Sequence, residues 1–165
     1  YIDGSELAEK YGNVIMLRTF SKLHGLASLR LGWGYASETI IENLMKVRGP
    51  FSVNAAAIKA GVAALEDLEF QKKSVKHNLK WMSWLENELK LLNLDFQSSI
   101  TNFLLIKFPV EYKYSAENAE RFLASKGILV RGMKVYGLSN YLRVSIGTKE
   151  ENIKFINELK TFFKK

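Results

Sequence analysis

"TFSKLHGLASLRLGW", residues 19–33, holds one lysine, Lys22, and one arginine, Arg30, in a stretch otherwise made of apolar, hydroxyl-bearing and glycine residues and a single histidine. Residues 14–17, Val-Ile-Met-Leu, precede it as a short continuous apolar run after Gly12 and Asn13, which predicts a strand buried on both faces. Residues 29–36, Leu-Arg-Leu-Gly-Trp-Gly-Tyr-Ala, read as a second strand. Its glycines, Gly32 and Gly34, point to close backbone approach on one side. Lys22 is therefore expected on a loop between two strands.

A lysine on such a loop is either a solvated surface charge or an amine made nucleophilic by desolvation and neighbouring cations. Arg30 favours the second reading. A planar, permanently charged guanidinium binds phosphate through two parallel hydrogen bonds, and the Ser21 hydroxyl can donate another. An amine to hold an aldehyde, with an arginine and a serine to hold a phosphate, is the set that pyridoxal phosphate requires.

The rest of the chain sets limits. Its 165 residues, 47% hydrophobic and 25% charged, have a globular composition. The absence of cysteine removes disulfides and thiolate zinc sites and fits a reducing, cytoplasmic setting. No apolar run approaches the ~20 residues that span a bilayer, so no membrane partner is expected. Two histidines without carboxylates at ligand spacing give no metal site. The net charge of +7 reads as a solvated helix face rather than a nucleic-acid surface, because Lys72, Lys73, Lys76, Lys80 and Lys90 alternate with Glu69, Glu86 and Glu88.

Helical spacing of Ile40, Ile41, Leu44 and Val47 follows a cap at Ser37. Further helices are expected over 54–65 and 68–92, the latter with a stripe of Val75, Leu79, Met82, Leu85, Leu89 and Leu92 flanked by core-packed Trp81 and Trp84. His77 on that helix is expected to face solvent, and His24 to pack. Short strands over 102–108, 128–131 and 142–146 alternate with a helix from Ser115, which Gly127 stops in the left-handed conformation. A capping box, Thr148-x-x-Glu151, opens a last helix that turns Ile153, Ile156, Leu159 and Phe162 inward. Interleaved strands and helices of this kind make a small α/β sandwich.

"LRTFSKLHGLASLRLGWGYA", with "KVRGPFSVNAAAIKAGVAALED", "SSITNFLLIKF" and "GILVRGMKVYGLSNYLRVSIGTKEEN", resembles fold-type I aminotransferases in the histidinol-phosphate aminotransferase branch, in order along essentially the whole chain. The resemblance implies an α/β fold in which residues 1–66 are the tail of a large pyridoxal-phosphate domain and residues 67–165 a linking helix and small C-terminal domain. It implies that Lys22 holds the aldehyde of pyridoxal 5'-phosphate and is the catalytic amine, that Ser21 and Arg30 bind its phosphate, and that Tyr1 contacts its ring oxygen. It implies that Arg143, in "YLRVSIGT", grips the substrate anion, with Arg131 and Asn102 as further substrate contacts. The substrates implied are histidinol phosphate and the glutamate/2-oxoglutarate pair. Residues 48–54, "RGPFSVN", would lie at the interface of a homodimer. The family's aspartate partner of the pyridinium nitrogen belongs upstream of Tyr1, so these residues match the C-terminal half of such an enzyme, and alone are expected to be inactive. Related activities on the same fold, on aromatic amino acids or as a threonine-phosphate decarboxylase, and a non-enzymatic α/β module are the alternative readings.

Overall fold

The computed structural model describes residues 2–164, so the expectation for Tyr1 lies outside the described residues. The chain forms two compact units, one running through Ser74 and the other beginning at Val75. The division falls inside a long helix. No helix among the described residues is long and apolar enough to cross a membrane.

In the first unit, helix α1 (Gly4–Lys10) leads to strand β1 (Met16–Thr19), a short 3-10 turn (Ala27–Leu29), strand β2 (Gly32–Tyr35), and helices α2 (Glu38–Val47) and α3 (Ala55–Glu66). Asp3 caps α1, accepting from the Ser5 backbone at 2.9 Å. Asn54 caps α3, accepting from Ala57 at 2.8 Å. Ser37 stands at the N-cap of α2, but its hydroxyl donates to the Gly12 carbonyl instead of capping the helix.

Strands β1 and β2 pair antiparallel, with Met16 opposite Tyr35 and Thr19 opposite Gly32. The strand expected at 14–17 forms two residues later, and it is not buried on both faces: Leu17 is 76% exposed and Trp33 49%. A two-stranded ribbon has little with which to cover either face. The apolar core residues of this unit are Ala8, Phe20 and Ala57.

The second unit holds the rest of α4 (Leu68–Leu91), strands β3 (Phe96–Gln97) and β4 (Phe103–Lys107), helix α5 (Ala116–Ser125), strands β5 (Arg131–Gly132) and β6 (Tyr141–Ser145), and helix α6 (Lys149–Lys164). The sheet has the order β3-β4-β6-β5, and every neighbouring pair is antiparallel. Leu104 and Ile106 on β4, with Leu142 and Val144 on β6, face a core shared with Met82, Leu85, Leu89, Leu123, Phe155, Ile156 and Leu159. Because strand side chains alternate, residues 103, 105 and 143 share the other face of the sheet.

Local signals set the helix ends. Ser115 accepts from the Asn118 backbone at 3.3 Å. Gly127 stops α5 with φ of 72°, its N–H donating to Ala124 while Ile128 reaches back to Leu123. Thr148 and Glu151 form the reciprocal capping box, at 2.7 and 3.3 Å.

Three local expectations shift. Only residues 131 and 132 of the segment 128–131 and its flank pair as β5, while Ile128 and Val130 still pack on the core. Phe155, rather than Ile153, is buried on α6. Val75 and Leu79 of the α4 stripe are exposed, whereas Trp81 is buried and Trp84 packs edge-on against it at 5.2 Å. His77 is exposed, as expected, and its Nε2 also bonds the Gly147 carbonyl at 2.9 Å.

Candidate functional site

The lysine loop is tied at both ends. Phe20 donates its backbone N–H to Leu31 at 3.1 Å and accepts from Leu26 at 2.9 Å, and its ring is buried. Ser21 donates its backbone N–H to the Thr19 hydroxyl at 3.0 Å. Gly25 takes φ of 68° and donates to the Lys22 carbonyl at 3.0 Å, a turn that an L-residue enters only with strain. Lys22 thus rides on a braced turn, exposed. Among the described residues, its amine has no hydrogen-bond, ion-pair or ring partner.

Arg30 closes the 3-10 turn in the left-handed conformation, φ 54° and ψ 41°, and its guanidinium donates to the Ala27 carbonyl at 2.7 Å. A non-glycine residue there carries local strain. Gly32 and Gly34 line the inside of the ribbon. A β-carbon on Gly32 would stand 2.8 Å from the Arg18 carbonyl oxygen, so the close approach legible in the sequence is to the backbone of β1. His24 packs on Phe20, ring centroids 4.8 Å apart, with its Nδ1 buried and unbonded.

An unpaired primary amine, a neighbouring hydroxyl and a guanidinium on one short braced segment have the chemistry to hold a small molecule carrying an aldehyde and a phosphate. Beside this segment, Leu17, Arg18, Thr19, Gly32, Trp33 and Gly34 line an open concavity of about 530 Å³ over the β1–β2 ribbon. Arg18 there is bound to Asp3 at 2.9 Å.

In the second unit the register sets Arg131 directly opposite Arg143. The Arg143 guanidinium lies 5.0 Å from the centroid of Phe103, and that of Arg131 lies 5.7 Å from the centroid of Tyr136. Arg131 also donates to the Tyr136 hydroxyl at 3.1 Å. The Nε of Arg143 is buried without a partner. Asn102 sits just before β4, where its carbonyl accepts from Ile146 at 2.8 Å.

Of the residues singled out from sequence, the structure sets Ser21, Lys22 and Arg30 on one loop and Arg131 and Arg143 on one sheet face. Phe103 and Tyr136 were not among them. Both fall within stretches that carry the family resemblance, but their contact with the arginines depends on tertiary placement.

Solved structures with this architecture define the class. A protein from Erwinia carotovora atroseptica SCRI1043 superposes with a TM-score of 0.90 at 26% identity, over 99% of this chain and 46% of that chain. The histidinol-phosphate aminotransferase from Sinorhizobium meliloti, solved in complex with pyridoxal-5'-phosphate, gives 0.83 at 25% identity, over 93% and 42%. The fold is that of the fold-type I aminotransferases.

The family model for aminotransferase class I and II matches residues 4–159, and the chain belongs to that family. It is 46% identical over 164 residues to the histidinol-phosphate aminotransferase of Maricaulis maris (strain MCS10). That match covers 99% of this chain and 45% of the relative, so the chain spans about half the length of the curated relative.

Proposed function

We propose that this protein is a pyridoxal-phosphate-dependent aminotransferase that moves the amino group of L-histidinol phosphate to 2-oxoglutarate, in the biosynthesis of histidine. The observation that carries the reading is the unpartnered Lys22 amine on a braced turn, with Ser21 beside it and the Arg30 guanidinium closing the same loop. The 46% identity to a histidinol-phosphate aminotransferase supports this choice of substrate.

In this reading Lys22 holds the cofactor aldehyde, while Ser21 and Arg30 hold its phosphate. The cofactor supplies an electron-poor ring that takes up charge when a substrate C–H bond breaks. The Lys22 Nζ, once released, carries the proton from the substrate α-carbon as general base and then general acid. Arg143 grips the substrate anion, phosphate in one half-reaction and carboxylate in the other, because a guanidinium fork fits both. Arg131 adds a second contact, and Asn102 lies at the substrate mouth.

A homodimer is part of the proposal. It is supported by Phe51, 98% exposed, with Val53 also exposed, in the segment 48–54 whose resemblance implies an interface.

Borohydride treatment in the presence of pyridoxal phosphate, followed by peptide mass mapping, tests the assignment of Lys22. The expected result is a pyridoxyl adduct on Lys22 that Lys22→Ala abolishes; an adduct on another lysine, or none, overturns it. Amino transfer from histidinol phosphate to 2-oxoglutarate, assayed beside aromatic amino acids, tests the substrate.

A further inference from the structure

Arg131 and Arg143 face each other across the β5–β6 ladder, and like charges set directly opposite repel. Arginines in a structural network are neutralised by carboxylates, but the ion pairs among the described residues are Arg18 with Asp3, Arg121 with Glu117 and Lys160 with Glu88. Each facing guanidinium instead rests on an aromatic ring, Arg143 on Phe103 and Arg131 on Tyr136. A ring face holds a cation without neutralising it. The pair therefore keeps its full positive charge on one sheet face, and the buried Nε of Arg143 has no acceptor.

Tyr136 does more than support. Its hydroxyl oxygen accepts from Arg131 at 3.1 Å, which leaves its own proton free to donate. The phenol is carried on a tight 3-10 turn (Lys134–Tyr136), where the Tyr136 N–H donates to Met133 at 3.0 Å and Gly137 closes the turn at φ 75°. Ring and hydrogen bond together fix where the Arg131 guanidinium sits relative to Arg143.

We propose that Tyr136 is a specificity-determining positioning residue: it holds Arg131 beside Arg143 so that the two cations together receive a phosphate monoester, whereas a carboxylate needs Arg143 alone. A phosphate monoester carries about −1.5 to −2 at neutral pH and matches two guanidiniums, while a carboxylate carries one charge and is satisfied by one fork. This inference rests on the reading that the arginine pair faces the substrate anion.

The test is steady-state kinetics of the active enzyme with histidinol phosphate and, separately, glutamate as amino donor, for Tyr136→Leu, Tyr136→Phe and Arg131→Gln. Tyr136→Leu is expected to raise the KM for histidinol phosphate about fivefold, with the KM for glutamate changed less than about twofold. Tyr136→Phe keeps the ring and is expected to recover most of the loss. If Arg131→Gln raises the histidinol-phosphate KM and Tyr136→Leu does not, the role of Tyr136 is overturned while the arginine pair stands. If Arg131→Gln leaves that KM unchanged, the underlying reading fails and the inference with it. Equal changes for both donors in Tyr136→Leu mark a structural effect and also overturn it.

Discussion

Asn152 holds Gly147 by both of its backbone polar groups: the Gly147 N–H donates to Asn152 Oδ1 and Asn152 Nδ2 donates to the Gly147 carbonyl, each at 3.0 Å. Asn152 is 3% exposed. The same carbonyl also accepts from His77 Nε2 at 2.9 Å. One loop between β6 and α6 is thereby fastened to the first turn of α6 and to α4, and β6 is the strand that carries Arg143.

Removing that amide leaves the half-buried Gly147 N–H with no protein partner and weakens the hold on its carbonyl. Asn152→Ala is expected to destabilise the protein by about 2–3 kcal/mol, read as a lower urea midpoint at unchanged m-value. A loss under about 0.5 kcal/mol would show that the loop does not depend on this side chain.

Arg30 sets stability against binding. Its left-handed backbone, φ 54°, costs an L-residue about 1 kcal/mol that glycine does not incur. Arg30→Gly should therefore leave thermal stability unchanged or slightly raised, although it deletes the bond to Ala27, while pyridoxal-phosphate affinity falls at least about tenfold. Spectroscopic titration with the cofactor beside a melting curve reads both effects. A destabilised variant with normal affinity would contradict the assignment of Arg30 as a phosphate contact.

A ribbon glycine and a turn glycine of the same unit are not equivalent. A β-carbon on Gly32 meets backbone oxygen at 2.8 Å, whereas one on Gly12 meets nothing within 4 Å. Gly32→Ala should cost about 1–3 kcal/mol by forcing β1 and β2 apart, and Gly12→Ala should cost nothing measurable. Chemical denaturation of the two variants side by side distinguishes this from a general effect of replacing glycine.

Asp3 is expected to contribute to the acid limb of stability. Its carboxylate accepts from the Ser5 backbone and the Ser5 hydroxyl and faces Arg18, and these partners hold its pKa below the ordinary 3.8. A depressed folded-state pKa gives stability that is present above 3.8 and is lost as the pH falls through the lower folded value. Asp3→Asn should flatten that part of the stability–pH curve and leave its neutral-to-alkaline part parallel to that of the parent. An unchanged slope below pH 4 would rule the contribution out.

Much of this protein is written locally. The caps at Asn54, Ser115 and Thr148, and the left-handed stop at Gly127, form where the residues require them, because each depends on backbone and side-chain groups a few positions apart. The sheet-face alternation around Leu104, Ile106, Leu142 and Val144 is equally legible, since it depends only on the two-residue period of a strand. The chemistry of the Ser21, Lys22 and Arg30 loop, and with it the family, could be read from residue types and order.

Other features depend on partners distant in the chain. The partial exposure of the β1–β2 ribbon was not visible in its apolar run, because an apolar run reports what a strand can bury and not what lies against it. His77 is exposed, as its helix position predicts, but only the fold brings the Gly147 carbonyl to its ring. The arginine pair is the clearest case. Residue type marks Arg131 and Arg143 as cations, but only the register of β5 on β6 sets them face to face, and only the turn after β5 brings Tyr136 under one of them. Register is chosen by which faces of the strands the whole core buries, and a slip of one residue would turn Arg143 inward. Sequence alone therefore determined the chemical parts and the family; tertiary structure decided which charges stand together, because that depends on the packing of the complete sheet.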